Sequence, residues 1–375
     1  MTLETFPTWL EVNLGAIRHN VRLLRSLLAP KVALVAVVKA NAYGHGAIPV
    51  ARAVLQAGAT GLAVARADEG LALRAAGIEA SLWILGFVPE SAALACAQAG
   101  LTVTVARPTQ IAALAAAARA AGRMPLPVHL KVDTGLSRYG VLPEEVVPLA
   151  QAIVAHPELA LEGLWTHYAV AEQPDHPYTA RQLAAFEDAL AALGAVRLRP
   201  PILHTANSGA ILRGTGHFNC VRAGVTLYGL QPEPGVTGHP GLRPALTWKA
   251  RVARVHTLAP GTSVSYGCTF TAARPMRVAL IPVGYGDGYP RRLGNGRGAV
   301  LIHEQRCPIL GRVCMDNVVV DVDHLPAVAE DDEVVLLGVQ GAGSISAEEL
   351  AEWEETNNYE VVTRILPRPP RFYLD

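Results

Sequence analysis

Lysine is scarce in this sequence: Lys31, Lys39, Lys131 and Lys249 are the only four, leaving 28 of the 32 basic side chains as arginine. A chain that ordinarily meets its need for positive charge with arginine draws attention to each amine it keeps. Net charge is missing too. The 32 basic and 32 acidic side chains balance to zero, which removes the electrostatic case for nucleic acid or an anionic membrane and favours a small-molecule partner. Cysteine is sparse: Cys96, Cys220, Cys268, Cys307 and Cys314 are five in number, with no short paired spacing and no cluster with histidines. That pattern points to a reducing compartment and against structural zinc, and no metal site is expected. No apolar run reaches the roughly 18 residues of a membrane span, and residues 1–11 carry neither a basic n-region nor an apolar h-region. A cytoplasmic protein with no membrane segment is the expectation.

The stretch with most to explain is Val37-Val38-Lys39-Ala40-Asn41-Ala42-Tyr43-Gly44-His45-Gly46. Residues 32–38 are apolar on both faces, as a strand buried in a parallel sheet or barrel is. A lysine at its end leaves water, and desolvation lowers an ammonium pKa toward the free amine that forms a Schiff base with an aldehyde. The plain alternative is a lysine that snorkels to the rim. Against it stands the loop that follows, which packs Asn, Tyr, Gly, His and Gly together as a ligand-facing turn does.

Beyond a first short strand at 10–14 and a helical pattern at 16–28, strand and helix alternate. The strand candidates are 32–38, 62–65, 82–85, 101–105, 128–132, 161–167, 202–205 and 220–227, with helices clearest at 48–57, 67–76, 108–121, 143–155 and 178–193. Eight strands alternating with helices predict a closed (β/α)8 TIM barrel, with an open doubly wound sheet as the alternative. Residues 231–244, rich in Pro and Gly, read as a linker. After them come short alternating runs at 247–258, 277–282, 299–303, 318–322 and 334–337, with one helical piece at 347–353. The expected organisation is α/β: a barrel domain over 1–240, followed by a mainly-β domain over 241–375 that the first short strand could join.

Barrel chemistry sits at the carboxyl ends of strands. After the first barrel strand come Lys39 and Tyr43, after the fifth Lys131 and Arg138, after the sixth His167, and after the seventh His204 to Ser208; the eighth carries Arg222. A lone arginine there would mean little, whereas five strand ends pointing such groups at one mouth suggest a site. Ser208 at the start of a helix, with the amides of Gly224 and Val225, suits a phosphate after the seventh and eighth strands, although an ordinary N-cap explains Ser208 equally well. An imine-forming lysine opposite a phosphate site suggests pyridoxal 5'-phosphate.

These stretches, with Ser265-Tyr266-Gly267, Gly284-Tyr285, Asp287-Gly288-Tyr289 and Gly311-Arg312-Val313-Cys314-Met315-Asp316, occur in one order along the whole chain. In that order the sequence resembles the bacterial alanine racemase family, fold-type III pyridoxal phosphate enzymes. The resemblance implies racemisation of L- and D-alanine, with D-alanine going to peptidoglycan. Lys39 would be the Schiff-base lysine and the base on one face, and Tyr266 the base on the other, contributed by the second subunit of a homodimer. Arg222 would face the pyridine nitrogen. His167 and Arg138 would orient Tyr266 and the substrate carboxylate, and Met315 would help bind that carboxylate. Tyr43, Ser208, Gly224, Val225 and Tyr359 would hold the phosphate, with Asn207 beside them, and Lys131 matches a lysine that some members carry carbamylated.

The chemistry agrees with these roles. Racemisation needs a base on each face of the α-carbon. A phenol of ordinary pKa about 10 would need cationic neighbours such as Arg138 and His167. An arginine hardly surrenders its proton to a pyridine nitrogen, which limits electron withdrawal and should suppress transamination. Rival readings are a broader amino-acid racemase that takes serine, a decarboxylase on the same barrel, and a non-catalytic carrier of the cofactor. The last two leave the Tyr266 stretch without a task.

Overall fold

The structure, a computed structural model, describes residues 5–233 and 235–375. The readings of residues 1–11 and of the 231–244 linker therefore lie partly outside the described residues. The chain divides into two units. One comprises Ile17–Ala42 and Ala47–Arg243; the other comprises the amino-terminal residues through Ala16, Tyr43–Gly46 and Pro244–Asp375.

Strand β1 (Thr8–Asn13) belongs to the second unit; the first is a closed barrel. Its strands are β2 (Ala33–Val37), β3 (Gly61–Val64), β4 (Ser81–Ile84), β5 (Thr102–Val105), β6 (Leu126–Lys131), β7 (Leu159–Trp165), β8 (Ile202–His204) and β9 (Cys220–Ala223). Neighbours pair in parallel, and β9 returns to β2 with Leu34 opposite Val221 and Val35 opposite Arg222. That closure excludes the open sheet. Short strands buried on both faces, such as Gly61–Val64 and Thr102–Val105, are what a barrel interior sheathed in helices requires. Helices Ala47–Gln56, Ala67–Ala75, Pro108–Ala121, Val146–Val154 and Tyr178–Ala195 fall where the periodicity predicts them. The last turn of the predicted 143–155 helix is regular, but Pro143–Glu145 opens it as a 3₁₀ turn.

In the second unit β10 (Leu246–Arg251), β11 (Arg254–Leu258), β14 (Met276–Ile281), β15 (Ala299–Ile302), β16 (Gln305–Leu310), β17 (Val318–Asp321), β18 (Glu333–Gln340) and β20 (Arg371–Leu374) join β1 in one sheet. Its order is β11-β14-β17-β16-β15-β18-β10-β1-β20, with β19 (Gly343–Ile345) on β18. A separate hairpin pairs β12 (Ser263–Val264) with β13 (Phe270–Thr271). Three things differ from expectation. The 247–258 run is two strands, a second helix spans Asn358–Thr363 beside Ala347–Glu354, and residues 371–374 form a strand parallel to β1.

Candidate active site

β2 carries the chain to Lys39, where Lys39–Tyr43 winds as a left-handed turn with φ of 51, 54, 54 and 52° at Ala40, Asn41, Ala42 and Tyr43. None of these is glycine, and Cβ crowding against the carbonyl costs about 1–2 kcal/mol per residue in this conformation. Such strain persists where neighbours over-determine it. Ala42 N–H donates to Val38 O at 2.9 Å, Ala40 N–H to Glu69 Oε1 at 2.5 Å, and Ala47 N–H to Asn41 Oδ1 at 2.8 Å. The other Glu69 oxygen accepts from the amides of Ala65 and Arg66 at 2.9 and 3.0 Å, so one carboxylate ties the lysine turn to the end of β3.

Lys39 is half-buried, and burial lowers its pKa, helped by Arg138 and opposed by Glu69. Lys131, at the end of β6, is buried at 3 % exposure with Nζ 4.4 Å from the Trp165 ring centre and 5.3 Å from that of Tyr139. Burial first, then Arg138 and Arg222, bring its pKa down to about 7, with Asp133 opposing. Both lysines are thereby biased toward free amines. Asp133 Oδ1 accepts from the amides of Gly135 and Ser137 at 2.9 and 3.0 Å, an Asx-type turn that presents the exposed Arg138.

Arg222 on β9 is buried, and burial lowers its pKa to about 10. Its Nη1 donates to His204 Nδ1 at 2.8 Å and His204 O at 2.7 Å; its Nη2 donates to Thr166 O at 2.8 Å, to Thr205 O at 3.0 Å and toward His167 Nδ1 at 3.3 Å. These five acceptors occupy the four terminal hydrogens and leave Nε–H as the donor the fold does not use. Burial, then Arg222, Arg138, Lys131 and Lys39, hold His167 well below its usual pKa. It is a neutral imidazole that accepts at Nδ1 and carries its proton on Nε2. A neutral His167 does not supply the cationic field expected of it.

Asn207, not Ser208, caps the helix Ser208–Leu212, accepting from the Ala210 amide at 3.1 Å. The Ser208 hydroxyl instead accepts from Gly224 N–H and Thr226 O–H, each at 3.0 Å, so its own hydrogen is left to donate. Val225 follows, buried. These groups, with Lys39, Lys131, Arg138, His167 and Arg222, belong to the barrel unit.

The remaining site residues belong to the β unit. Tyr43 and Tyr359 place their rings 6.3 Å apart, and burial raises the Tyr43 pKa. Tyr266 and Met315 are 70 % and 53 % exposed, far more than large side chains usually are. Their two turns are joined: Ser265, at φ 64°, donates from Oγ to Arg312 O at 2.6 Å, with Cys314 Sγ at 3.2 Å. The Met315 turn is pinned in addition, because Gly286 N–H donates to Met315 O at 2.8 Å while Arg368 bridges Asp287 and Asp316.

Sequence reasoning missed Glu69, Arg368 and a buried set around His129. His129 had a readable signal, since it lies two residues from Lys131 and so shares its strand face. Glu69 looks like any helix-start acid. Among the described residues no group of three or more His, Cys, Asp and Glu side chains is placed to hold a metal.

A closed barrel whose strand ends carry desolvated amines beside a carboxylate-free buried arginine, followed by a mostly-β unit, defines an enzyme built for amine chemistry on a small molecule. The family model for the alanine racemase N-terminal domain matches residues 12–232, and that for the alanine racemase C-terminal domain matches 245–373. The alanine racemase of Symbiobacterium thermophilum is 49 % identical over 370 residues, 98 % of this chain and 97 % of that one. The crystal structure of alanine racemase from Streptomyces lavendulae superposes with a TM-score of 0.93 at 41 % identity, covering 98 % and 97 % of the two chains. The Bartonella henselae alanine racemase, crystallised with covalently bound pyridoxal phosphate, gives 0.88 at 31 % identity over 98 % and 100 %. The chain belongs to the alanine racemase family, a family of isomerases.

Proposed function

We propose that this chain is a pyridoxal 5'-phosphate-dependent racemase that interconverts L- and D-alanine by a two-base mechanism in a cytoplasmic homodimer, supplying D-alanine for peptidoglycan. The observation that carries the reading is the barrel mouth itself, where the desolvated Lys39 amine shares one electrostatic neighbourhood with Lys131, Arg138, His167 and Arg222.

The residues fit the cofactor. An anionic phosphate suits Ser208, which keeps a hydrogen to donate while accepting from the Gly224 amide; Gly224, Val225, Tyr43 and Tyr359 would complete the phosphate site. Arg222 keeps one N–H, a donor that an unprotonated pyridine nitrogen accepts. Lys39 would hold the aldehyde carbon. When bound, the cofactor would supply a sink for the electron pair left as the α-proton departs.

The chain's own residues do the rest. Lys39 Nζ takes or returns the α-proton on one face. Tyr266 Oη does so on the other, from the second copy, which accounts for a tyrosine left 70 % exposed on the single chain. His167 offers Nε2–H to orient that phenol, and Arg138 and Met315 bind the substrate carboxylate. Arg222 donates and keeps its proton, which restrains electron withdrawal and disfavours transamination.

Purified protein in heavy water with L-alanine and L-serine side by side tests this. Rapid α-deuterium incorporation and loss of optical rotation with alanine, and little with serine, are expected. Comparable rates on serine would replace the narrow reading with a broad racemase, and exchange on neither would leave a cofactor carrier.

A further inference from the structure

The barrel interior holds two histidines that the mechanism does not use. His129 Nδ1 lies 3.0 Å from His204 Nε2, and His129 Nε2 lies 3.1 Å from Glu162 Oε2. Both rings are buried, at 1 % and 0 % exposure, and are packed by Trp83, 4.5 and 4.9 Å from their centres, and by Trp165, stacked on His204 at 5.4 Å and 9°.

The direction of every bond follows from the arginine. A guanidinium only donates, so His204 Nδ1 accepts from Arg222. The His204 proton is then on Nε2 and is donated to His129 Nδ1. That leaves the His129 proton on Nε2, donated to the Glu162 carboxylate. Burial keeps both imidazoles neutral-leaning, His204 well below its ordinary pKa.

The backbone is shaped for this chain of bonds. β6 and β7 slip register between Val128 and His129, with Val128 opposite Leu161 and His129 opposite Gly163, so Glu162 is the extra residue of a bulge. A bulge re-aims a side chain. Gly163 supplies the room: a Cβ there would stand 2.6 Å from His129 Cδ2. Glu162 itself stays 34 % exposed, so its charge is partly hydrated rather than sealed in.

We infer that Glu162 is a positioning residue for racemisation, acting through His129 and His204 to orient Arg222 and to balance its charge from a distance. Every hydrogen bond the guanidinium donates within the fold ends on a carbonyl or an imidazole, and its Cζ lies 4.9 Å from the Trp165 ring centre. Glu162 is the carboxylate to which the polarised N–H groups lead. Ordered in this way, the Arg222 terminal hydrogens are committed and Nε–H is the donor left for the cofactor ring. The link to racemisation rests on the proposed function; the relay itself does not.

Side-chain ¹⁵N–¹H NMR of the holoenzyme tests the relay without reference to activity. Wild-type protein should show His129 and His204 as neutral Nε2–H tautomers with strongly deshielded protons. Any other tautomer at either histidine overturns the assignment. In Glu162→Gln, which keeps shape and acceptor oxygen but removes charge, the His204 Nε2–H resonance should move although residue 162 does not touch His204. A resonance that stays put refutes transmission. Charge removal should lower kcat about fivefold, the difference between a charge-assisted and a neutral hydrogen bond, with KM for alanine within about twofold. An unchanged kcat, or a loss carried by KM, refutes the positioning role. Should the wild type racemise nothing, the proposed function fails while the tautomers still decide the relay.

Discussion

Lys131 faces two arginines and two aromatic rings in a buried pocket, an environment that works against its ammonium form. Its pKa of about 7, set first by burial and then by Arg138 and Arg222, means that the unfolded chain binds the extra proton up to about pH 10.5 and the folded chain does not. The sign follows: this group's contribution to stability is fully present above about pH 10.5 and is lost as pH falls to about 7. A free amine at neutral pH can also add carbon dioxide, forming the N–C bond of a carbamate and releasing one proton. The product replaces a neutral amine beside Arg138 with an anion that the arginine can pair. We therefore expect a carbamate carbon signal in protein equilibrated with ¹³C-bicarbonate, absent in Lys131→Ala and fading as pH drops below about 7. Loss of the pairing should raise KM for alanine by about 10- to 100-fold, the usual weight of a hydrogen bond to a charged group. A wild type without that signal would leave Lys131 as a plain amine held over Trp165.

At the scale of elements, the left-handed turn after β2 is where local preference and global fold disagree. Ala40 is exposed and sits at φ 51°, so its Cβ is strained without adding to the core. Ala40→Gly removes a crowding cost of about 1–2 kcal/mol and adds about 0.4–1 kcal/mol of unfolded-chain entropy. A net change between about zero and a gain of about 1.6 kcal/mol in chemical denaturation is the expected outcome, and a clear loss would show that the turn is not strained. This turn was illegible in the sequence because alanine, asparagine and tyrosine do not announce a left-handed run as glycine does. The barrel, by contrast, was legible, because short apolar runs such as 32–38 and 62–65 can be satisfied only by burial on both faces. The Glu162 bulge lay between these cases: the strand was readable, but the register slip that re-aims one residue is set by pairing with β6.

On the scale of the whole molecule, the residues that the family resemblance singles out fall in both units. Lys39, Arg138, His167, Ser208 and Arg222 belong to the barrel, whereas Tyr266 and Met315 are exposed on the β unit. Spacing along the chain could point to the barrel residues, since strand ends converge by topology. It could not point to Tyr266, an apparently ordinary surface tyrosine, and only the family resemblance did. If two copies share each site, the two bases of one site come from different chains. Lys39→Ala and Tyr266→Phe should each be inactive in racemisation while remaining folded. Dissociated, mixed in equal amounts and reassociated, they should form about half mixed dimers, each with one intact site, restoring about a quarter of wild-type activity. A site completed within a single chain would give no recovery at all, because no chain in the mixture carries both bases.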